Sequence, residues 1–379
     1  MSLDERYPSL DYLKQRAKRR LPHFVWEFLD SGTGSDAARN RNRRDLDNKL
    51  LMPSILHGEL TPDLRADILG QTYDLPVGVA PVGMAGLIWP NAEVELAKAS
   101  AKLNIPYCLS TVAAQTIETI GPLTNGNGWF QLYPPKDEAI RKDMLKRARD
   151  SGFSTLVLTV DVPVGSRRER QMRAGLNYPP RLSPRMIWQC MKCPSWSMGI
   201  LLHGMPKMQN LAPYSDVTTQ SLPPNAHIGY LLRTSPSWDY LQWLRDNWDG
   251  PLVVKGVLDP ADAPKMKAYG VDAIWVSNHA GRQMDGAPST ISQLPKIREV
   301  VDLPIIFDSG AESGLDILRA LDAGADFVMM GRAWHYALAA LGPAGIDHFA
   351  DILGNDLRAN MGQLGFNSFA SAEKLSHHT

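Results

Sequence analysis

Residues 252–279, LVVKGVLDPADAPKMKAYGVDAIWVSNH, decide how this chain folds. A β-branched run at 252–256 (LVVKG) is followed by an amphipathic segment at 260–269 and a second apolar run at 273–277 (AIWVS). Short apolar runs bounded by Gly, Pro and Asp read as buried strands, and a helical crossover between two of them makes the pair parallel. The same unit recurs in both directions. Strand cores lie at 77–82, 106–110, 128–132 and 154–160 upstream and at 304–308 and 326–331 downstream. Helical segments fall at 92–103, 136–150, 237–247, 290–300, 313–322 and 333–341. Eight β then α repeats are best satisfied by an α/β fold of the closed (β/α)8 TIM-barrel type, with an open doubly wound sheet as the second solution.

Two regions stand outside the repeat. Residues 1–75 precede the first strand and are expected to form helical segments and a lid over one barrel end. Residues 174–235 separate the fourth and fifth strands and combine methionines, prolines, Trp188 and Trp196 with little periodicity, as a loop insert does. The whole span 1–379 is expected to be one barrel domain carrying these additions.

Composition narrows the function classes. Forty basic residues balance forty acidic ones, which argues against nucleic acid as a partner because phosphate binding needs a basic surplus. Hydrophobic residues at 44% are enough for a full core. Cys108, Cys190 and Cys193 cannot build a disulfide framework, so a reducing, cytoplasmic location is expected. The basic cluster at 14–20 has no apolar run behind it and is no signal peptide, and no stretch is apolar enough to span a bilayer. Cys190 and Cys193 form a C-x-x-C with no second pair, so no metal is expected.

Barrel enzymes place their chemistry at the C-terminal strand ends, and here polar residues gather there. Ser110 ends the second strand, Gln131 and Tyr133 the third, Thr159 and Asp161 the fourth, and Lys255 the fifth. Ser277, Asn278 and His279 end the sixth, with Arg282 behind them; Asp308 ends the seventh and Gly331-Arg332 the eighth. A purely structural barrel has no reason to converge such groups on one mouth. The segment SNHAGRQMDGAP at 277–288 is the strongest single signal. His279 can accept a proton near neutral pH, and Arg282 can hold a carboxylate with two parallel hydrogen bonds. A bare His-x-x-Arg would read as a capped turn; its place among the other strand ends is what favours chemistry.

These motifs resemble the FMN-dependent 2-hydroxy acid dehydrogenase and oxidase family over roughly residues 21–366. The matching pieces are Ala80-Pro81-Val82-Gly83, Leu109-Ser110-Thr111, Phe130-Gln131-Leu132-Tyr133, Thr159-Val160-Asp161 with Arg168 beyond, Val254-Lys255-Gly256, Ser277-Asn278-His279, Asp308-Ser309-Gly310 and Gly331-Arg332. The resemblance implies FMN in a TIM barrel and oxidation of an (S)-2-hydroxy acid to a 2-oxo acid. It implies His279 as base, Asp161 as the carboxylate that orients it and favours its protonated form, and Lys255 beside the flavin edge where negative charge develops. Arg282 and Arg168 correspond to the substrate-carboxylate arginines and Tyr133 to a phenol on the substrate. Pro81, Val82, Gly83, Ser110, Gln131, Thr159 and Ser277 correspond to flavin contacts and Asp308 to a ribityl contact. Gly310, Gly331 and Arg332 correspond to the phosphate end.

Three positions depart from the family pattern. Phe28 stands where a tyrosine near the substrate carboxylate is usual, Glu312 where an arginine near the phosphate is usual, and Ala280 where a glycine is usual. The resemblance further implies a homo-oligomer, a tetramer, and a variable loop after the fourth strand that contacts the bilayer in membrane-linked members. Residues 186–205, MIWQCMKCPSWSMGILLHGM, have a composition that fits an interfacial segment, a lid or a subunit contact alike. A peripheral position on the inner membrane face and a quinone or oxygen acceptor are expected, the chain showing no appended haem or nicotinamide domain. An isomerase on the same fold and a non-catalytic flavin-binding protein are the competing functions.

Overall fold

The computed structural model describes residues 2–176, 183–214 and 233–369. All eight strand cores are found: β1 (Val77–Val79), β2 (Tyr107–Ser110), β3 (Gly128–Leu132), β4 (Thr155–Thr159), β5 (Leu252–Val257), β6 (Ala273–Val276), β7 (Ile305–Phe307) and β8 (Phe327–Met330). They pair in parallel in chain order, and β8 closes onto β1 with Val328 opposite Val77. The result is a closed (β/α)8 barrel, so the open-sheet alternative falls. The crossover helices follow the periodic segments, as in Ala92–Lys102, Glu138–Asp150, Trp238–Asn247 and Gly314–Asp322.

Strand side chains alternate between faces, and this alternation builds the site. The barrel interior is filled by Cys108, Trp129, Val157, Val253, Trp275 and Ile306, with Phe327 and Met329 from β8. Trp129 and Trp275 meet edge to face, 6.5 Å apart. Two residues further along each strand, on the same inward side, stand Ser110, Gln131, Thr159, Lys255, Ser277 and Asp308. One more step of two brings Tyr133, Asp161 and His279. The polar residues converge because they continue the inward register of an apolar core past its last layer.

The N-terminal region does more than cover one end. An antiparallel hairpin, Ala66–Ile68 with Gln71–Tyr73, seals the N-terminal floor. Its Ala66, Ile68 and Tyr73 join the interior cluster, with the Tyr73 ring 5.7 Å from Phe327. Helix Leu10–Arg20 lies along helix Arg332–Leu341 outside the barrel. Helices His23–Asp30 and Ala37–Asp47 lie at the C-terminal mouth, where Ala37–Asp47 packs on the His279–Gly281 turn.

The described part of the insert is not irregular. It contains helices Pro184–Met191 and Pro194–His203, each with proline in its first turn, where a missing N–H costs nothing. Their periodicity is hard to read in sequence because much of their apolar surface is exposed. Trp196 anchors them: its indole N–H donates to the Leu87 carbonyl at 2.9 Å, and its ring meets Phe24 edge-on at 5.8 Å. Helix Pro343–Leu364, absent from the sequence reading, packs behind helices Gly314–Asp322 and Arg332–Leu341. No helix among the described residues is long and apolar enough to cross a membrane.

Candidate active site

His279 leaves β6 in the left-handed region, φ 55°, and Ala280 follows at the same φ. Such a conformation costs an L-residue about 1–2 kcal/mol and turns the imidazole back over the barrel mouth. The turn is held by Asn278, whose side chain exchanges two hydrogen bonds with Asn42 at 2.7 and 2.8 Å. Asp285 secures the same loop from outside, accepting from the Ser35 and Ala38 amides at 2.8 and 2.9 Å.

The imidazole Nδ1 lies 3.0 Å from Asp161 Oδ1, and Nε2 lies 3.4 Å from the Tyr133 hydroxyl. With Asp161 ionised, Nδ1 carries the proton and Nε2 presents its lone pair to the mouth. Asp161 can approach so closely because β5 bulges at Gly256, φ 111°, where a Cβ would stand 2.5 Å from Asp161 Cβ. Burial pushes the His279 imidazole below its ordinary value and outweighs the upward pull of Asp161. Asp161 favours the imidazolium and burial opposes it, and the balance lies toward the neutral ring, the form a base needs. Asp161 itself is held below the usual carboxylate range: burial raises it, but His279 and Lys255 pull it further down.

Lys255 is 4% exposed, sits 3.1 Å from Asp308 Oδ2 and donates to Ser277 Oγ at 2.7 Å. Burial opposes its charge, but Asp308 and Asp161 raise its pKa above the ordinary lysine value, so it remains a cation. Ser309 completes this row, donating to Asp308 Oδ1 at 2.5 Å and accepting from the Ala280 amide at 2.9 Å.

The arginines form a second cluster. Arg282 donates to the carbonyls of Phe28 and Leu29 at 2.9 and 2.6 Å, with its guanidinium carbon 6.0 Å from the Phe28 ring centre. Burial pushes Arg282 well down, and Arg332 and Arg168 add to this. Arg332 donates to the carbonyls of Leu29, Ser31 and Ala280. Neither Arg282 nor Arg332 has a carboxylate partner among the described residues, so their field favours an anion at the mouth. Arg168 starts helix Glu169–Ala174 at φ 51° and is placed by Arg170, which binds Glu27, Asp30 and Asp36 at 2.5, 3.0 and 2.5 Å.

The residues present fit the expected FMN. Gln131 Nε2 is buried with no partner among the described residues, while its Oε1 accepts from Ser110 Oγ at 2.8 Å. Gly83 leaves a gap that a Cβ would close, 2.5 Å from Val112 Cγ2. At the phosphate end, Gly310 has φ 129° and helix Arg332–Leu341 begins at Gly331 without a side-chain cap, an arrangement that suits an anion. Glu312 does not leave this end acidic, because Lys14 Nζ reaches its Oε1 at 3.4 Å.

Sequence reasoning missed Asn42, Ser309, Arg170 and His335. Ser309 had a signal in its place beside Asp308; Asn42 and Arg170 lie on polar helix faces that look like solvated surface. His335 is 1% exposed, its Nδ1 lies 2.8 Å from the Gly331 carbonyl, and its Nε2 has no partner among the described residues. Burial pushes it down to about 4, against an ordinary value of about 6.5. As pH falls from about 6.5 to about 4 the unfolded chain takes up a proton that the folded chain refuses, so stability drops across that window by about 3 kcal/mol. His335→Leu removes the group at similar volume and is expected to flatten that drop, read as urea midpoints near pH 7 and near pH 5. A variant that still loses as much stability on acidification as the parent would show that His335 is protonated in the folded chain.

The pattern of the family described as FMN-dependent dehydrogenase matches residues 17–378. The chain is 38% identical over 371 residues to the L-lactate dehydrogenase of Vibrio parahaemolyticus, covering 97% of each. It is 40% identical over 365 residues to that of Ectopseudomonas mendocina, covering 96% of each. Among solved structures, the monotopic membrane protein (S)-mandelate dehydrogenase superposes with TM-score 0.89 at 33% identity, covering 96% of each chain. Mandelate oxidase superposes with TM-score 0.81 at 31% identity, covering 97% of each. With a family pattern spanning nearly its full length and relatives at this identity on the same barrel, the chain belongs to the FMN-dependent dehydrogenase family.

Proposed function

We propose that this protein oxidises an (S)-2-hydroxy acid to the 2-oxo acid, with His279 as the base. The observation that carries the reading is an imidazole fixed by Asp161 at 3.0 Å, with its Nε2 beside Tyr133 and a cluster of arginines that have no carboxylate partner among the described residues. Bound FMN supplies the two-electron acceptor. Ser110, Gln131, Thr159 and the Pro81–Gly83 backbone would hold its ring, Lys255 its electron-rich edge, Asp308 its ribityl chain, and Gly310, Gly331 and Arg332 its phosphate. Arg282 and Arg168 bind the substrate carboxylate and orient the α-carbon. His279 Nε2 takes the proton, and Asp161 stabilises the imidazolium that results. Tyr133 hydrogen-bonds the substrate oxygen. The test is the visible spectrum of the purified protein and its bleaching by a panel of 2-hydroxy acids without oxygen. A flavin spectrum that no 2-hydroxy acid bleaches would defeat the reading and leave a non-catalytic flavin protein.

Phe28 points to the kind of acid. Its ring lies against Arg282 and offers shape without a hydroxyl. A hydrogen bond to a charged group is worth about 1.5–3 kcal/mol, and burying a phenyl-sized group about 1.5–3 kcal/mol. Acids with larger or aromatic side chains are therefore expected to be oxidised better than glycolate or lactate. Phe28→Tyr should raise kcat/KM for lactate more than for mandelate; equal gains, or a parent that already prefers lactate, would move Phe28 away from the substrate.

We also propose peripheral attachment to a membrane, with a quinone as onward acceptor. A relative of the same fold is monotopic, and the insert helices expose apolar side chains that suit an interface from which a lipid-dissolved quinone is reached. Steady-state turnover with a soluble quinone analogue should exceed turnover with oxygen; the reverse order would make the protein an oxidase.

A further inference from the structure

A cleft of about 500 Å³ opens between helix Leu10–Arg20 and the two insert helices, away from the barrel mouth. Arg16, Arg19, Arg20 and Lys192 line it together with Tyr7 and Tyr12. Among the described residues none of these four cations has a carboxylate partner. Arg16 Nε and Arg20 Nη1 both donate to the Ala340 carbonyl, at 2.8 and 2.5 Å. Two guanidiniums thus share one neutral acceptor at the end of helix Arg332–Leu341. Arg16 also lies 5.5 Å from the Tyr7 ring centre and Arg20 4.7 Å from that of Trp89. These contacts orient the cations without neutralising them. The supply of positive charge continues in the insert, where residues 170–215 include no acidic residue.

The surface beside the cleft is apolar. Met198, Leu201 and Leu202 lie at helical spacing of three and four on the second insert helix and Met205 follows just past its end, all exposed, with Leu201 at 79% and Leu202 at 75%. Ile187, Trp188 and Met191 are exposed on the preceding helix. The turn that joins the two helices, Lys192–Cys193, forms one wall of the cleft. The opposite side of the helix pair is buried: Met186, Cys193 and Trp196 pack on the barrel. An apolar face and a cationic recess therefore adjoin on one side of the molecule.

From this arrangement we infer that the cleft binds the phosphate-bearing headgroup of an anionic phospholipid while the adjoining apolar face enters the acyl region. The inference rests on the membrane-attachment reading above and adds a specific lipid chemistry to it. Guanidinium forks match phosphate oxygens, and the tyrosines give the recess the amphipathic lining found at membrane interfaces. A lipid source is favoured over a free anion because the recess opens beside an apolar surface that water alone would leave uncovered.

The test uses the full-length, FMN-loaded protein. Partition is measured on vesicles of phosphatidylcholine alone and of phosphatidylcholine mixed with phosphatidylglycerol. Each cation near an anionic surface contributes about fivefold to binding, so the parent should prefer the mixed vesicles by well over tenfold, and less so at high salt. Arg19 and Lys192 are exposed and make no side-chain hydrogen bond in the described structure, so the double variant Arg19→Glu, Lys192→Glu should fold normally. It is expected to lose that preference and keep its binding to phosphatidylcholine. Trp188→Ser with Leu201→Ser should weaken binding to both vesicle types and keep the preference. Equal binding to both vesicle types by the parent would overturn the headgroup site while membrane attachment stood. Binding to neither would overturn attachment itself. Saturable binding of inorganic phosphate without vesicles would assign the cleft to a free anion. A change of sedimenting mass in the charge-reversed variant would make it a subunit contact instead.

Discussion

His279→Ala is expected to keep FMN bound and to slow its reduction by 2-hydroxy acid by about 10²–10⁴-fold, the usual worth of a general base. Retention is expected because the imidazole hydrogen-bonds to Asp161 and lies near Tyr133, while the proposed flavin contacts belong to the row one step deeper in the barrel. Stopped-flow mixing with substrate in the absence of oxygen separates the two effects, since the spectrum reports binding and its decay reports chemistry. The pH profile gives a second check. Burial holds the parent's His279 below its ordinary value, so kcat/KM should stay level through neutrality and fall only as pH drops through that lowered value. Near-normal reduction in the variant, or a parent whose rate rises on acidification, would remove His279 from the role of base.

Lys255→Met should be damaging in two measurable ways. Loss of a fixed charge that meets negative charge as it develops lowers kcat at saturating substrate by about 10²–10³-fold, rather than only raising KM. The same change leaves Asp308 and Asp161 buried without their shared cation, and breaking a buried pair from one side costs about 3–5 kcal/mol. The melting temperature should fall along with kcat. Lys255→Arg keeps the charge and should recover stability more fully than turnover, because the guanidinium cannot occupy the ammonium's place between Ser277 and Asp308. A Met variant changed in KM alone, with normal kcat, would make Lys255 a substrate-binding residue.

The strand register explains how much of the site was legible in sequence. Lys255 follows Val253, Asp308 follows Ile306 and Thr159 follows Val157, each by one step of two. Once the apolar residues are known to fill the barrel, the polar ones must face its mouth. The departures at Phe28, Glu312 and Ala280 were visible as residue types, but their consequences were not. Glu312 is answered by Lys14, almost three hundred positions away in sequence, and no local pattern couples those two residues. Ala280 occupies a left-handed turn, which shows that the site accepts the strain of a side chain there.

What the amino-acid order determined alone was the repeat: eight apolar runs, their crossovers and the inward row of polar ends, because strand periodicity and parallel connection are local rules. The protonation state of His279 was not local. It depends on the burial of the ring at the barrel mouth and the approach of Asp161 allowed by Gly256, and only the assembled barrel brings these together. The cationic cleft was equally invisible, since Arg16 and Lys192 are separated by the first four strands of the barrel. They become neighbours when Trp196 docks the insert against Leu87 and Phe24, so their combined field is a property of packing.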